Sequence, residues 1–179
     1  EKLAAEGQVQ SRALSEWFNV SEDTIRRDLR ELSAEGRLQR VHGGALPASA
    51  AVVDFAGRSQ LSLDSKRAVA RRAAALIEPG QIVMLDGGTT TSELVKCLPP
   101  YLAITVITHS PGIALLLVEH PRIEVILIGG RLFKHSIVSV GAESIEEMSH
   151  LRADLFFMGV TGIRADAGLS TGDYEEACV

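Results

Sequence analysis

Two sets of residues in this chain have types and spacings suited to chemistry. The first runs from Val20 to Leu32 as Val-Ser-Glu-Asp-Thr-Ile-Arg-Arg-Asp-Leu-Arg-Glu-Leu. Ser21 is a strong N-cap, and Glu22 and Asp23 put negative charge in the first helical turn, where the open N–H groups and the helix dipole favour it. Ile25, Leu29 and Leu32 recur at helical spacing and predict a buried stripe. At about 100° per residue, Arg26, Arg27 and Arg30 share an arc beside that stripe, while Asp28 and Glu31 point elsewhere. Guanidinium groups gathered in this way, with Ser21 and Thr24 at the helix start, suit phosphate oxygens and guanine edges.

The second set lies at four glycine- or hydroxyl-rich stretches: Asp86-Gly87-Gly88-Thr89-Thr90-Thr91, Thr108-His109-Ser110, Gly129-Gly130-Arg131 and Gly159-Val160-Thr161-Gly162. Glycines let a backbone approach an anion closely, hydroxyls donate to it, and a helix that follows presents free N–H groups. Each stretch alone is also a common turn or cap motif. Four of them, one with a guanidinium, converge most simply on a phosphate. No second histidine stands at metal-ligand spacing from His109, so neither metal nor cofactor is assigned.

The elements that must position these residues follow from periodicity. Ser11 to Phe18 reads as a short helix with Ala13, Leu14, Trp17 and Phe18 inward, and Asn19-Val20 turns the chain into the arginine helix. Such a pair is the layout of a helix-turn-helix, whose second helix enters a major groove. Arg37 to Leu46 alternates around Gly43-Gly44 and predicts a hairpin, a wing with Arg40 and His42 near its tip. Residues 1–47 then form a small head, and 48–63, rich in Ala, Ser and Gly, a linker. Residues 64–179 alternate short apolar runs with helical stretches. A helix from Asp64-Ser65 to Glu78 precedes strands at Ile82–Leu85, Ile104–Ile107, Val125–Ile128 and Leu155–Met158. Helices are predicted at Ser92–Leu98, Pro111–Glu119 and Ala142–Met148. That order predicts an α/β domain with a mostly parallel sheet, right-handed crossovers and strands covered on both faces. In such folds ligands bind at the carboxyl ends of the strands, where all four stretches fall.

Composition narrows the function classes. The 179 residues carry a formal net charge of −5 and 46% hydrophobic residues. The head accounts for −1 and the remainder for −4, so nonspecific binding by a polycation is excluded and affinity for nucleic acid must come from the placement of arginines. Cys97 and Cys178 stand far apart in no metal-like spacing, which predicts reduced thiols in the cytoplasm. No run is long enough for a membrane span, and no signal peptide is read. Lys2 to Gly7 reads as the end of a helix that starts before Glu1, so the chain is expected to be part of a longer protein.

The stretch from Leu14 to Ala45 resembles the winged helix-turn-helix of the DeoR family of bacterial transcriptional regulators. Asp86-Gly87-Gly88-Thr89-Thr90, Gly129-Gly130 and Gly159-Val160-Thr161-Gly162 are similar to the sensor domain that follows it, which is related in fold to ribose-5-phosphate isomerase and glucosamine-6-phosphate deaminase. The resemblance implies a repressor of carbohydrate genes that binds double-stranded operator DNA and is released by a phosphorylated sugar. It also implies a dimer or tetramer, because two recognition helices must meet half-sites spaced by whole turns. Two departures stand out. His109 occupies a position where the family commonly has asparagine, and the family's sensor domain continues past the equivalent of Val179, so the domain here is expected to be incomplete. The alternative is a sugar-phosphate isomerase or deaminase fused to a DNA-binding head. Proton transfer between adjacent carbons needs poised carboxylates, and the loop from Met158 to Gly162 has none, so no catalytic residue is assigned.

Overall fold

The computed structural model describes residues 2–3, 9–35, 37–41, 43–47, 55–166, 168–171 and 173–179. The chain divides into two compact units, Glu1–Leu61 and Ser62–Val179.

In the first unit, β1 (Val9–Gln10) leads into α1 (Ser11–Phe18) and α2 (Glu22–Ala34), followed by β2 (Leu38–Val41) and β3 (Gly44–Pro47). The strands form an antiparallel sheet in the order β1-β3-β2, with Arg40 opposite Ala45 across the hairpin. Asn19 closes α1 in the left-handed conformation, at φ 54°, which asparagine tolerates better than most residues. Val9, Leu14, Ile25, Leu29, Leu38 and Ala45 make the core, with Leu3 and Leu32 packed against it.

The predicted inward face of α1 is corrected here. Ala13 is exposed, and Trp17 and Phe18 are 58% and 59% exposed. The helix has only eight residues and is buried through Ser11 and Leu14. The two aromatic rings instead stack at 4.9 Å, and the Lys2 ammonium lies 4.1 Å from the Trp17 ring. Part of the predicted linker is also ordered, as α3 (Phe55–Gln60), while 48–54 lie outside the described residues.

The second unit is built on a parallel four-stranded sheet in the order β6-β5-β4-β9, with β4 at Ile82–Leu85, β5 at Ile104–Thr108, β6 at Ile123–Leu127 and β9 at Leu155–Phe157. Register pairs Val83 with both Val106 and Leu155, so the alternate residues Val83, Leu85, Val106 and Phe157 share one face. That face is covered by α4 (Leu63–Ala74), α5 (Thr89–Lys96) and α6 (Pro111–Leu117) through Ala70, Leu94, Val95, Ile113 and Leu117. The expectation of burial on both faces holds only in part: on the opposite side Ile107 is buried and Met84 half-buried, while Ile82, Ile126 and Phe156 are exposed. A run of apolar residues does not itself state how many helical layers cover it.

Helix boundaries shift for identifiable reasons. α4 starts from Ser62, whose side chain makes no cap bond, and ends at Ala74 rather than Glu78. α5 begins at Thr89 instead of Ser92, because Gly88 at φ 142° turns the chain directly into the helix. Two hairpins that short runs did not reveal complete the unit: β7 (Arg131–Phe133) with β8 (Val138–Val140), and β10 (Gly162–Arg164) with β11 (Gly168–Ser170). Two short helices, α7 (Ala142–Ser149) and α8 (Tyr174–Cys178), follow β8 and β11. No helix among the described residues is long and apolar enough to cross a membrane.

Candidate DNA-reading surface and anion site

In α2 the cap forms as its sequence predicts. Ser21 Oγ accepts from the Thr24 amide at 3.1 Å, and the two hydroxyls lie 2.9 Å apart. Ile25 and Leu29 are buried, and Arg26, Arg27 and Arg30 are exposed on the outer side. The expected separation of cations from anions holds for Arg30, is incomplete for Arg27 and fails for Arg26. Its guanidinium donates to Glu22 at 2.9 Å and Asp23 at 3.1 Å, one helical turn back. The acidic first turn that suits the helix dipole therefore also reaches the first arginine. Arg27 Nε is 3.9 Å from Asp28, a loose contact, and Arg30 Nε donates to the Arg26 carbonyl at 3.4 Å. Arg40 projects from β2 and is exposed; His42 lies outside the described residues.

The second unit gathers its candidate residues around one carboxylate. Order β6-β5-β4-β9 makes the chain reverse its direction across the sheet between β4 and β9, and the crevice at the carboxyl end of such a switch is where open α/β sheets bind ligands. Asp86 ends β4 there. Its Oδ1 accepts from the Gly87 amide at 2.6 Å and its Oδ2 from the Gly159 amide at 2.8 Å, which ties the loop after β4 to the loop after β9. His109 Nε2 lies 2.6 Å from Asp86 Oδ1, and its Nδ1 lies 2.8 Å from the Ser139 carbonyl oxygen. A carbonyl can only accept, so Nδ1 carries a proton, and a carboxylate facing Nε2 favours a second. Burial disfavours the charged ring, but the bonds to Asp86 and Ser139 together with the Asp86 and Glu176 charges outweigh it, and the His109 pKa is raised.

Asp86 thus organises the loop, as its neighbouring glycines suggest, and does so over 73 residues of sequence. The close approach explains the glycines. A Cβ on Gly87 would lie 2.2 Å from Val138 Cγ1, and one on Gly159 would lie 2.9 Å from Asp86 Oδ2.

The four strand ends differ in what they leave open. At the β5 end everything is spent internally: Thr108 is fully buried with its hydroxyl accepting from the Ser110 amide, and Ser110 Oγ both caps α6 and donates to the Ile137 carbonyl. His109 likewise faces Asp86 and Ser139 rather than open space. At the β4 end no side chain caps α5, so the first-turn amides of Thr89, Thr90 and Thr91 are the open donors. Thr89 and Thr90 are half-buried, whereas Thr91 Oγ1 turns back to the Gly88 carbonyl at 2.9 Å. Ser144 Oγ, which the sequence did not single out, donates to the Gly129 carbonyl at 2.7 Å and packs where a Cβ on Gly130 would fall. Arg131 is exposed and ion-paired with Glu175. Thr161 is exposed, and its amide donates to the Ser170 carbonyl at 2.9 Å. No cluster of three or more potential metal ligands occurs among the described residues.

A winged helix-turn-helix unit in sequence with an α/β unit that carries a loop site at its switch point defines a class of regulator with a reading head and a sensing domain. Family models agree along nearly the whole chain: residues 1–50 match the DeoR-like helix-turn-helix domain and 62–179 the DeoR C-terminal sensor domain. The chain belongs to the DeoR family, whose members are transcriptional regulators rather than enzymes. It is 38% identical over 172 residues to the HTH-type transcriptional regulator GlpR of Haloferax volcanii, with 92% of this chain and 65% of that protein covered. It is 33% identical to the putative aga operon transcriptional repressor of Escherichia coli O157:H7, covering 99% of this chain and 67% of that protein. It is also 32% identical to the glycerol-3-phosphate regulon repressor of Escherichia coli K12, covering 98% and 70%. The chain therefore spans about two thirds of the length of these relatives. The alternative of a fused isomerase or deaminase is set aside by this membership.

Proposed function

We propose that this chain is the reading and sensing portion of a cytoplasmic one-component repressor of carbohydrate genes, held on operator DNA by its head and released when a phosphorylated sugar binds the α/β unit. In the head, α2 enters the major groove with Ser21, Thr24, Arg26, Arg27 and Arg30, and the wing meets the backbone through Arg40 and His42. A second copy supplies the other half-site.

In the sensor unit the phosphate sits against Gly87, Gly88 and the amides of Thr89, Thr90 and Thr91, with Gly129, Gly130, Arg131, Gly159 and Thr161 around the crevice. Thr108, His109, Ser110 and Asp86 shape it from behind. The observation that carries this reading is the start of α5 at Gly88, which has no side-chain cap among the described residues, at the strand-order switch beside the Asp86 tie: the donors there are preorganised, and an anion is what they fit. Two relatives named as repressors support the regulatory role, and the name of one, a glycerol-3-phosphate regulon repressor, supports the effector class.

Thermal unfolding in the presence of ribose 5-phosphate, glycerol 3-phosphate, ribose and glycerol tests it. A ligand at 100 times its dissociation constant adds about 2.7 kcal/mol of stability, and a phosphorylated compound is expected to raise the midpoint while its unphosphorylated partner does not. Equal shifts from both members of a pair, or no shift from any phosphorylated sugar in a wider panel, would overturn the anion assignment.

A further inference from the structure

Arg131 is the one guanidinium in the four strand-end stretches, and it does not wait open for an incoming anion. Its Nη2 is paired with the Glu175 carboxylate on α8, although the two side chains remain 59% and 48% exposed. α8 is held in place by its own first turn. Asp173 Oδ1 accepts from the amides of Glu175 at 2.9 Å and Glu176 at 3.1 Å, and Thr171 Oγ1 donates to Glu176 Oε2 at 3.0 Å. The Glu176 carboxylate in turn acts through space on the His109 ring. Two adjacent carboxylates thus address the Arg131 guanidinium and the His109 imidazole.

We propose that Glu175 is an internal competitor for the anion at Arg131 and so sets the specificity of the sensor: a phosphate dianion is admitted by exchange with Glu175, and neutral sugars and simple carboxylates are not. The inference rests on the anion reading above. A free carboxylate offers Arg131 nothing that the tethered one does not already supply at higher effective concentration. A phosphate ester carries about −1.5 to −2 charge near neutral pH and three acceptor oxygens, so it gains more from the guanidinium than a carboxylate does. When it arrives, α8 loses its hold on β7, and the start of that helix becomes the part of the sensor unit that responds to occupancy.

The test is a calorimetric titration of the whole chain with inorganic phosphate, using wild type, Glu175→Gln, Arg131→Gln and the double variant. Glu175→Gln is expected to bind phosphate about 5-fold more tightly or better, a coupling typical of linked sites. In the Arg131→Gln background the same change should have little effect. Hydrogen exchange in wild type should show the amides of α8 exchanging faster once phosphate is bound. Equal phosphate affinity in wild type and Glu175→Gln would overturn the competition while leaving the anion site standing. An equal gain in the Arg131→Gln background would also overturn it, by assigning the effect to lost negative charge in general. Phosphate binding to none of the four proteins would remove the anion site itself and this inference with it.

Discussion

In the head, the candidate binding groups come from one helix and one hairpin, stand exposed, and interact among themselves within three or four residues: Ser21 with Thr24, Arg26 with Glu22 and Asp23, Arg30 with the Arg26 carbonyl. In the sensor unit, the candidate site is assembled from the ends of separate strands and closed by bonds over 23, 30 and 73 residues, the His109–Ser139 bond fully buried and the His109–Asp86 bond partly so. The difference teaches where each function resides. A reading helix needs only to be made and displayed, so its chemistry is local and its outer face can change without disturbing the core. A crevice exists only when distant loops are brought together, so its polar groups also hold the fold.

The largest expected effect breaks the comparison at Asp86. Asp86→Ala removes the acceptor of two loop amides and leaves the His109 imidazole buried without its partner, a loss on the order of 3 kcal/mol. Denaturant unfolding followed by a probe in the α/β unit should show it, and a loss below about 0.5 kcal/mol would show that the tie does not hold the loops. A smaller and opposite pattern is expected at Arg27. Arg27→Ala should weaken operator binding by about 1–3 kcal/mol in a mobility-shift titration while leaving the unfolding midpoint unchanged, because the side chain touches only Asp28 loosely. Unchanged affinity would move the reading surface elsewhere.

The smallest effect sharpens the contrast by pH. The His109 pKa is raised by Asp86 and the Ser139 carbonyl against the cost of burial, with Glu176 the other charge acting on it. A raised value in the folded state means that the stabilisation is fully present below the unfolded value of about 6.5 and is lost as pH rises through the folded one. Stability of the α/β unit should therefore fall across that window, and His109→Asn should flatten the slope there. A slope that survives the substitution would assign it to another group.

The sequence by itself determined the pieces whose causes are local. The Ser21 cap, the Ile25 and Leu29 stripe, the arginine arc and the Gly43-Gly44 hairpin need only neighbours within one or two turns, and the order of strands and helices follows from short apolar runs between glycines and prolines. The same runs could not state that Ile82, Ile126 and Phe156 would be exposed on one sheet face, nor could an eight-residue helix declare that Trp17 and Phe18 point outward, because burial depends on what the rest of the chain brings near. The tertiary structure also decided the fate of each polar candidate. Thr108, His109 and Ser110 have the right types for an anion but spend their groups on Ile137, Ser139, Asp86 and the start of α6, while the first-turn amides of Thr89, Thr90 and Thr91 remain open. Arg131 found Glu175, 44 positions later in the chain. The physical reason is common to all of these: side-chain type fixes what a group can bond, and only the packed chain decides which partner reaches it first.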